Sequence, residues 1–428
     1  MQYYEKKKNI YAKIFTSLVI IFPLTSIYAT PIKSVSFGDL LILLILIPLT
    51  FDMFINTARR GVVPFWIYIM YAFGVTVVAS FLFFGISDTY SSNDVINRII
   101  RDGYFLVTIV VFGKRYFDFQ YGKKLLKSFT IVLGGFIIVQ TIAFMLMGIY
   151  IPGIIPGLNT TISGGISGME YNRIFQHKAE AEGLLRSSGF LAEPAIVGQV
   201  VSVTLLLELF NDRKKINKAL CLYFSLILVL SFSTNSYVAL FVCWTLWTLY
   251  SNRHSRKNII KILIGIIVLI IGLIIFVQNE RTASVFARFF ELRDRTSGSS
   301  VIRVLRGIVF YINMPLLFQL FGSGFGNFLE FKKLYEITTI YETADEYMNT
   351  NAYILISTGL IGFILFIITI LWSIRNNDVV SKMIFILLLV FGLSSSIYST
   401  PQFMIMMMFI LFYPKERGFY EDTYYYTS

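Results

Sequence analysis

Windows of about twenty apolar residues, the length a helix needs to cross a bilayer core, recur about twelve times along this chain. They fall near residues 10–29, 36–55, 62–84, 96–113, 128–149, 192–210, 218–233, 236–251, 258–277, 350–373, 381–397 and 400–413. A water-soluble domain has no interior large enough to hide so many. The composition agrees: 56% of the 428 residues are hydrophobic, 17% aromatic and only 14% charged, with a mean hydropathy of +0.69. The expected fold is an all-α polytopic integral membrane protein of about twelve transmembrane helices, with two long extracytoplasmic loops containing short helices. The first apolar run follows Lys6, Lys7 and Lys8. It is longer than a signal-peptide core and lacks a small-x-small cleavage site, so it reads as an uncleaved first span. No internal repeat or soluble domain interrupts the chain, which predicts a single membrane domain over residues 1–428.

The short connections set an orientation. Arg59 and Arg60, Lys114 to Lys127, Arg213 to Lys218, Arg253 to Lys261, and Lys415 with Arg417 all fall on the side of the N-terminal lysines. By the positive-inside rule that side is the cytoplasm, and it holds both termini. The formal net charge of +12 is then topological. A nucleic-acid partner is not expected, because that reading needs the basic residues gathered on a soluble domain. Two long connections, 150–190 and 278–349, face outside, and long loops in a compact protein are usually functional. Cys221 and Cys243 lie in apolar runs and there are only two histidines. Neither a disulfide framework nor a Cys/His metal centre is expected.

Within the second connection, Arg281 to Arg306 carries six arginines (Arg281, Arg288, Arg293, Arg295, Arg303 and Arg306) and no lysine. A guanidinium grips phosphate with two parallel hydrogen bonds where lysine offers a strongly hydrated point charge. The bias points to a phosphate site outside the membrane. Arg281, Arg288 and Arg295 are seven apart, close to one helical face, with Phe286, Phe289 and Phe290 available for the interface. The alternative is an interfacial helix resting on anionic head groups.

The first connection opens with Pro152, Gly153, Pro156 and Gly157, becomes polar with Arg173, His177, Glu180 and Glu182, and closes on Arg186-Ser187-Ser188-Gly189-Phe190-Leu191-Ala192-Glu193-Pro194. An Arg and a Glu thus enter the membrane boundary together, where ionisable residues are expensive and usually functional. The competing reading is an Arg186 to Glu193 ion pair that only closes the loop. Arg98 and Arg101, three apart at the outer end of the fourth span, either join the same anionic site or snorkel to head groups.

Residues 186–198, RSSGFLAEPAIVG, resemble the motif by which O-antigen polymerases and ligases of bacterial surface polysaccharide assembly leave their first large periplasmic loop. The segment PLLFQLFGSGFGNF, Pro315 to Phe328, is similar to the family's glycine-rich stretch, and Asn351-Ala352-Tyr353 through Gly359-Leu360-Ile361-Gly362 is similar to its next span. With the two-loop plan the resemblance covers most of residues 95–415. Gly322 to Gly326 has the glycine spacing of a phosphate-cradling loop, but it follows no strand of a βαβ unit. Ligases of the family place a histidine just before the Asn-containing span. Here that neighbourhood reads Tyr347-Met348-Asn349-Thr350, which favours polymerase over ligase.

The resemblance implies joining of undecaprenyl-diphosphate-linked oligosaccharide repeat units into O-antigen on the periplasmic face of the inner membrane. Donor and acceptor glycans, membrane lipids and a chain-length regulator are the implied partners. A sugar hydroxyl attacks the anomeric carbon and a diphosphate leaves, and fixed cations stabilise that leaving charge. No clustered external carboxylates of the DxD kind occur to hold Mg²⁺, so no metal and no cofactor is expected. Arg186 with Arg288, Arg303 and Arg306 are the expected diphosphate ligands, with Arg98 and Arg101 as further candidates. The attacking hydroxyl needs a base, for which Glu193 is the first choice and His177 the second. Tyr171, Phe175, Tyr335, Tyr341 and Tyr347 either stack on sugar rings or pack at the interface. Capsule or exopolysaccharide polymerases share the carrier and topology. A lipid-linked oligosaccharide flippase is the reading from another class, but it would place charge along the spans and keep its external loops short.

Overall fold

Among the described residues, seven helices begin on a side chain that accepts from their own first turn: Ser36 from Asp39 N, Asp118 from Tyr121 N, Ser167 from Glu170 N, Asn217 from Leu220 N, Asn349 from Ala352 N, Asp378 from Val379 N and Thr400 from Phe403 N. Such caps satisfy amides that have no partner within the helix. They divide a nearly continuous apolar chain into separate rods. The structure is a computed structural model that describes residues 2–32, 35–55, 63–86, 90, 92–161, 165–210, 217–251, 299–337 and 348–413.

The helices in order are α1 (Gln2–Thr25), α2 (Phe37–Ile55), α3 (Trp66–Ile86), α4 (Ser92–Val107), α5 (Lys114–Tyr116), α6 (Phe119–Met147), α7 (Gly168–Glu182), α8 (Pro194–Leu209), α9 (Lys218–Leu230) and α10 (Thr234–Ser251). After them come α11 (Ser299–Ile312), α12 (Leu316–Phe321), α13 (Phe328–Leu334), α14 (Thr350–Ile374), α15 (Val379–Ser394) and α16 (Pro401–Leu411). Among the described residues there is no strand, only isolated bridges such as Tyr28 to Thr160 and Asn159 to Ser167.

Four helices, α2, α3, α6 and α14, are long and apolar enough to cross a membrane. Their apolar windows are 17%, 28%, 33% and 50% buried, so α2 lies at the periphery and α14 nearest the interior. Outward-facing side chains such as Phe54 (78% exposed) and Leu146 (79% exposed) belong to such peripheral helices. Water would not tolerate that surface, and lipid would. The described residues are helical without strands, and their apolar helices make the chain a membrane protein. Of the shorter apolar helices, α8 and α16 are buried almost all round and form the centre, as helices without a polar face must.

Two expectations change in detail. The predicted fifth span starts at 128, but α6 starts at Phe119, because Asp118 caps it there and Lys123, Lys124 and Lys127 ride on its first turns. Lys127 is satisfied by Glu208 of α8 at 3.3 Å. The predicted fourth span is a composite: α4 runs into a π-helical turn at Thr108–Gly113 and then α5. Such widened turns often accompany functional sites. The predicted span at 258–277 lies outside the described residues.

Hydrogen bonds sort the connections to two ends. At one end Arg115 meets Asp52 at 3.4 Å and Asn377 Nδ2 donates to Ile410 O at 3.3 Å. At the other, Thr161 N donates to Ile27 O and Arg186 Nε to Phe232 O, which tie down the first long connection, and Asn235 Nδ2 donates to Ser395 Oγ. Here the segment 322–327 dips between α3 and α14. It does so because α14 breaks at Gly359, whose φ is +67° and ψ −178°. The break leaves the carbonyls of Ile356 and Ser357 to accept from Ser323 N and Gly324 N, both at 2.9 Å. Irregular backbone is tolerated at membrane depth only when it is satisfied in this way.

Alanine at position 322 would place its Cβ 2.3 Å from Ser357 O and 2.6 Å from Gly359 N, at a φ of +92°. Gly322→Ala is expected to leave little folded protein after detergent extraction, measured by size-exclusion chromatography of a fluorescent fusion. Gly74→Ala, which meets nothing within 4 Å, is expected to match wild type.

Candidate functional site

The amphipathic helix α4 turns Val95, Asp102, Phe105 and Leu106 inward while Ile96 and Ile100 stay exposed. Asp102 is fully buried. Ser399 Oγ donates to its Oδ1 at 2.5 Å, and the Tyr353 hydroxyl stands 3.5 Å from Oδ2. Ser399 holds a left-handed backbone, φ +53°, at the corner before α16. A non-glycine residue keeps such a conformation only where its surroundings over-determine it.

Around this carboxylate lie aromatic rings and guanidinium groups. The Arg98 guanidinium lies 5.1 Å from the centre of the Tyr353 ring, and that of Arg101 5.8 Å from the Phe105 ring, within cation–π range. Phe325, at the tip of the dipping segment, stacks on Tyr353 at 5.6 Å and on Tyr398 at 5.7 Å. Tyr398 in turn meets the Tyr68 hydroxyl at 3.3 Å. Four stretches far apart in sequence thereby meet: α4, residues 322–327, the start of α14 and the 395–400 corner.

Two neighbouring cavities open here. The first, of about 640 Å³, has Asp39, Asp94, Arg98 and Arg101 among its polar lining and Leu43, Ile100 and Leu329 among its apolar lining. The second, of about 680 Å³, shares Val35, Asp39, Arg101 and Phe105 with it and adds Glu193, Thr160 and Gln402. Arg101 therefore stands where the two join. Chemically, the first pairs a fork-shaped cation array with an apolar wall, the combination that a lipid phosphate requires. No known protein family matches the chain, and no curated protein matches it.

The sequence-predicted residues divide sharply. Arg98, Arg101 and Glu193 come together at these cavities. Arg186 does not line either one; its Nε donates to Phe232 O at 3.1 Å, tying the first long connection to the turn before α10. His177 is exposed on α7, with Nδ1 3.6 Å from Glu180 Oε2, and also lines neither. Arg306 is buried on α11, one turn from Phe310, which packs on Phe328 and Phe331. Arg281, Arg288, Arg293 and Arg295 lie outside the described residues, as do Phe286, Phe289, Phe290, Tyr341, Tyr347 and the side chain of Arg303. Tyr171 is buried, stacks on Phe175 and donates to Ala192 O, and burial pushes its phenol up. Tyr335 packs on Phe318 and Phe331.

The glycine segment is no phosphate cradle. Ser323 N and Gly324 N are given to α14, and Phe325 N donates to Thr76 Oγ1 at 3.0 Å. Its role is to deliver Phe325. The residues that sequence reading missed are Asp102, Ser399, Tyr398, Phe325, Asp39 and Gln402. Asp102 and Asp39 had a visible signal, an acidic residue within a predicted span.

Proposed function

We propose that this chain is a polymerase of the O-antigen type, joining undecaprenyl-diphosphate-linked repeat units on the outer face of a bacterial inner membrane. In this reading it has about twelve spans, cytoplasmic termini and two long external connections. The observation that carries it is the convergence of Arg98 and Arg101 on one cavity whose remaining wall includes Leu43, Ile100 and Leu329. Guanidinium groups hold the diphosphate, and the apolar wall receives the first carbons of the lipid.

The step is a displacement. The acceptor hydroxyl oxygen bonds to the anomeric carbon of the donor, and the bond from that carbon to the diphosphate oxygen breaks. The electron pair stays on the departing diphosphate. The hydroxyl proton passes to a carboxylate, and Glu193, which shares the second cavity with Arg101, is the group proposed for it. The arginines act on the charge that develops as the diphosphate leaves. Arg186, bonded to Phe232 O, supports the loop that carries Glu193.

The test is the surface glycan of a strain lacking the chain, resolved by gel as a ladder of repeat numbers. Loss of the ladder, with lipid A capped by single units, is the expected result, and wild type restores it. Long chains left on the carrier lipid would instead make the protein a ligase. Units accumulating on the cytoplasmic leaflet would make it a flippase and overturn the reading.

A further inference from the structure

The second cavity differs from the first in its chemistry. Both cavities share Asp39 and Arg101; the first adds Asp94 and Arg98 and the second adds Glu193, so two carboxylates face two guanidinium groups in the first and one in the second. Asp39 is held in place by Ser36, whose N and Oγ donate to its Oδ2 at 3.0 and 2.6 Å. Glu193 precedes Pro194 at the start of α8 and makes no capping bond with its side chain. Gln402 is 5% exposed and its side chain lines the cavity. Its amide opens to the cavity rather than being sealed in the core, so it can bond a group that enters there. An amide both donates and accepts, a carboxylate only accepts, and hydroxyl groups answer to both.

We propose that this cavity is the acceptor subsite and that it selects an uncharged, hydroxyl-rich sugar end, with Gln402 and Glu193 as its specificity-determining contacts. The inference rests on the polymerase reading. It places the leaving diphosphate in the first cavity, where two guanidinium groups meet it, and the nucleophilic hydroxyl in the second. Arg101 at the junction stands beside the bond that breaks. An acidic sugar would bring a further negative charge against Asp39 and Glu193, where like charges a few ångströms apart repel. Guanidinium groups balance the carboxylates of the first cavity, whereas the second keeps one carboxylate in excess and so disfavours a further anion.

Binding to the full chain in lipid nanodiscs separates this from the functional reading. The probes are undecaprenyl diphosphate, the repeat oligosaccharide released by mild acid from the strain's own lipid-linked units, and that oligosaccharide oxidised at its primary hydroxyls to uronates. Gln402→Ala is expected to weaken the neutral oligosaccharide about tenfold, the equivalent of one hydrogen bond, and to leave undecaprenyl diphosphate unchanged. Wild type is expected to bind the oxidised probe more weakly than the neutral one, and Glu193→Gln to narrow that gap. Glu193 is exposed, so this second variant keeps the test alive if Gln402→Ala fails to fold. Should neither variant alter oligosaccharide binding while Arg98→Ala still weakens undecaprenyl diphosphate, the acceptor assignment falls and the polymerase reading stands. Undecaprenyl diphosphate binding indifferent to Arg98→Ala overturns both. A released repeat that carries an acidic distal sugar and still binds overturns the charge selection.

Discussion

Arg101→Ala is expected to abolish the polymer ladder, with turnover of lipid-linked units falling by about 10²–10³, the range for removing one fixed donor from a developing anion. The residue lines both cavities, so on the proposed polymerase reading its loss affects the leaving diphosphate and the geometry of attack together. Arg101→Lys retains the charge without the fork and is expected to fall between alanine and wild type. Arg98→Ala, confined to the first cavity, is expected to act mainly on the KM for donor. Arg186→Ala provides the contrast: its bond to Phe232 O predicts lower stability with less loss per folded molecule. The measurement is turnover of purified lipid-linked units normalised to folded protein. Arg101→Ala enzyme that makes wild-type ladders would remove the basis of the proposed site.

Asp102→Ala is expected to destabilise the fold by about 1–3 kcal/mol, the cost of leaving the buried Ser399 and Tyr353 hydroxyls without their acceptor. Its carboxylate receives Ser399 Oγ and faces Tyr353, with Arg98 and Arg101 on the same helix. Without it, the left-handed Ser399 loses the bond that holds it, and the guanidinium groups lose their buried counter-charge. Asp102→Asn preserves the shape and one acceptor oxygen and is expected to be milder. Denaturation in mixed micelles followed by intrinsic fluorescence reads both. An Asp102→Ala protein as stable as wild type would show that the cluster contributes no stability. Because the Arg98 charge acts on the Asp102 carboxylate and both meet Tyr353, Asp102→Asn and Arg98→Gln are expected to be non-additive by about 0.5–3 kcal/mol.

The two substitutions act on side chains only one position apart in sequence, with opposite kinds of effect. The reason is the helical repeat. Arg101 looks toward the cavities and Asp102 toward the core, where α14 and the 395–400 corner reach it. A local pattern of Arg-Asp on an apolar helix does not reveal which residue faces which way.

What the sequence determined by itself was the class of molecule. Repeated apolar windows admit little besides a helical membrane protein, because backbone amides in lipid must be satisfied within each segment. Capping residues such as Asp118 and Asn349 act within three residues, yet hydropathy windows alone placed the start of α6 at 128 rather than after Asp118. Tertiary structure alone decided which polar residues meet. Arginine bias drew attention to Arg281–Arg306, most of it outside the described residues, whereas the described site forms around Arg98 and Arg101. Gly322 and Gly359 bring two backbones together across 37 positions of chain, and that approach delivers Phe325 to Tyr353. Contacts of this length are set by the packing of whole helices, and no window of neighbouring residues encodes them.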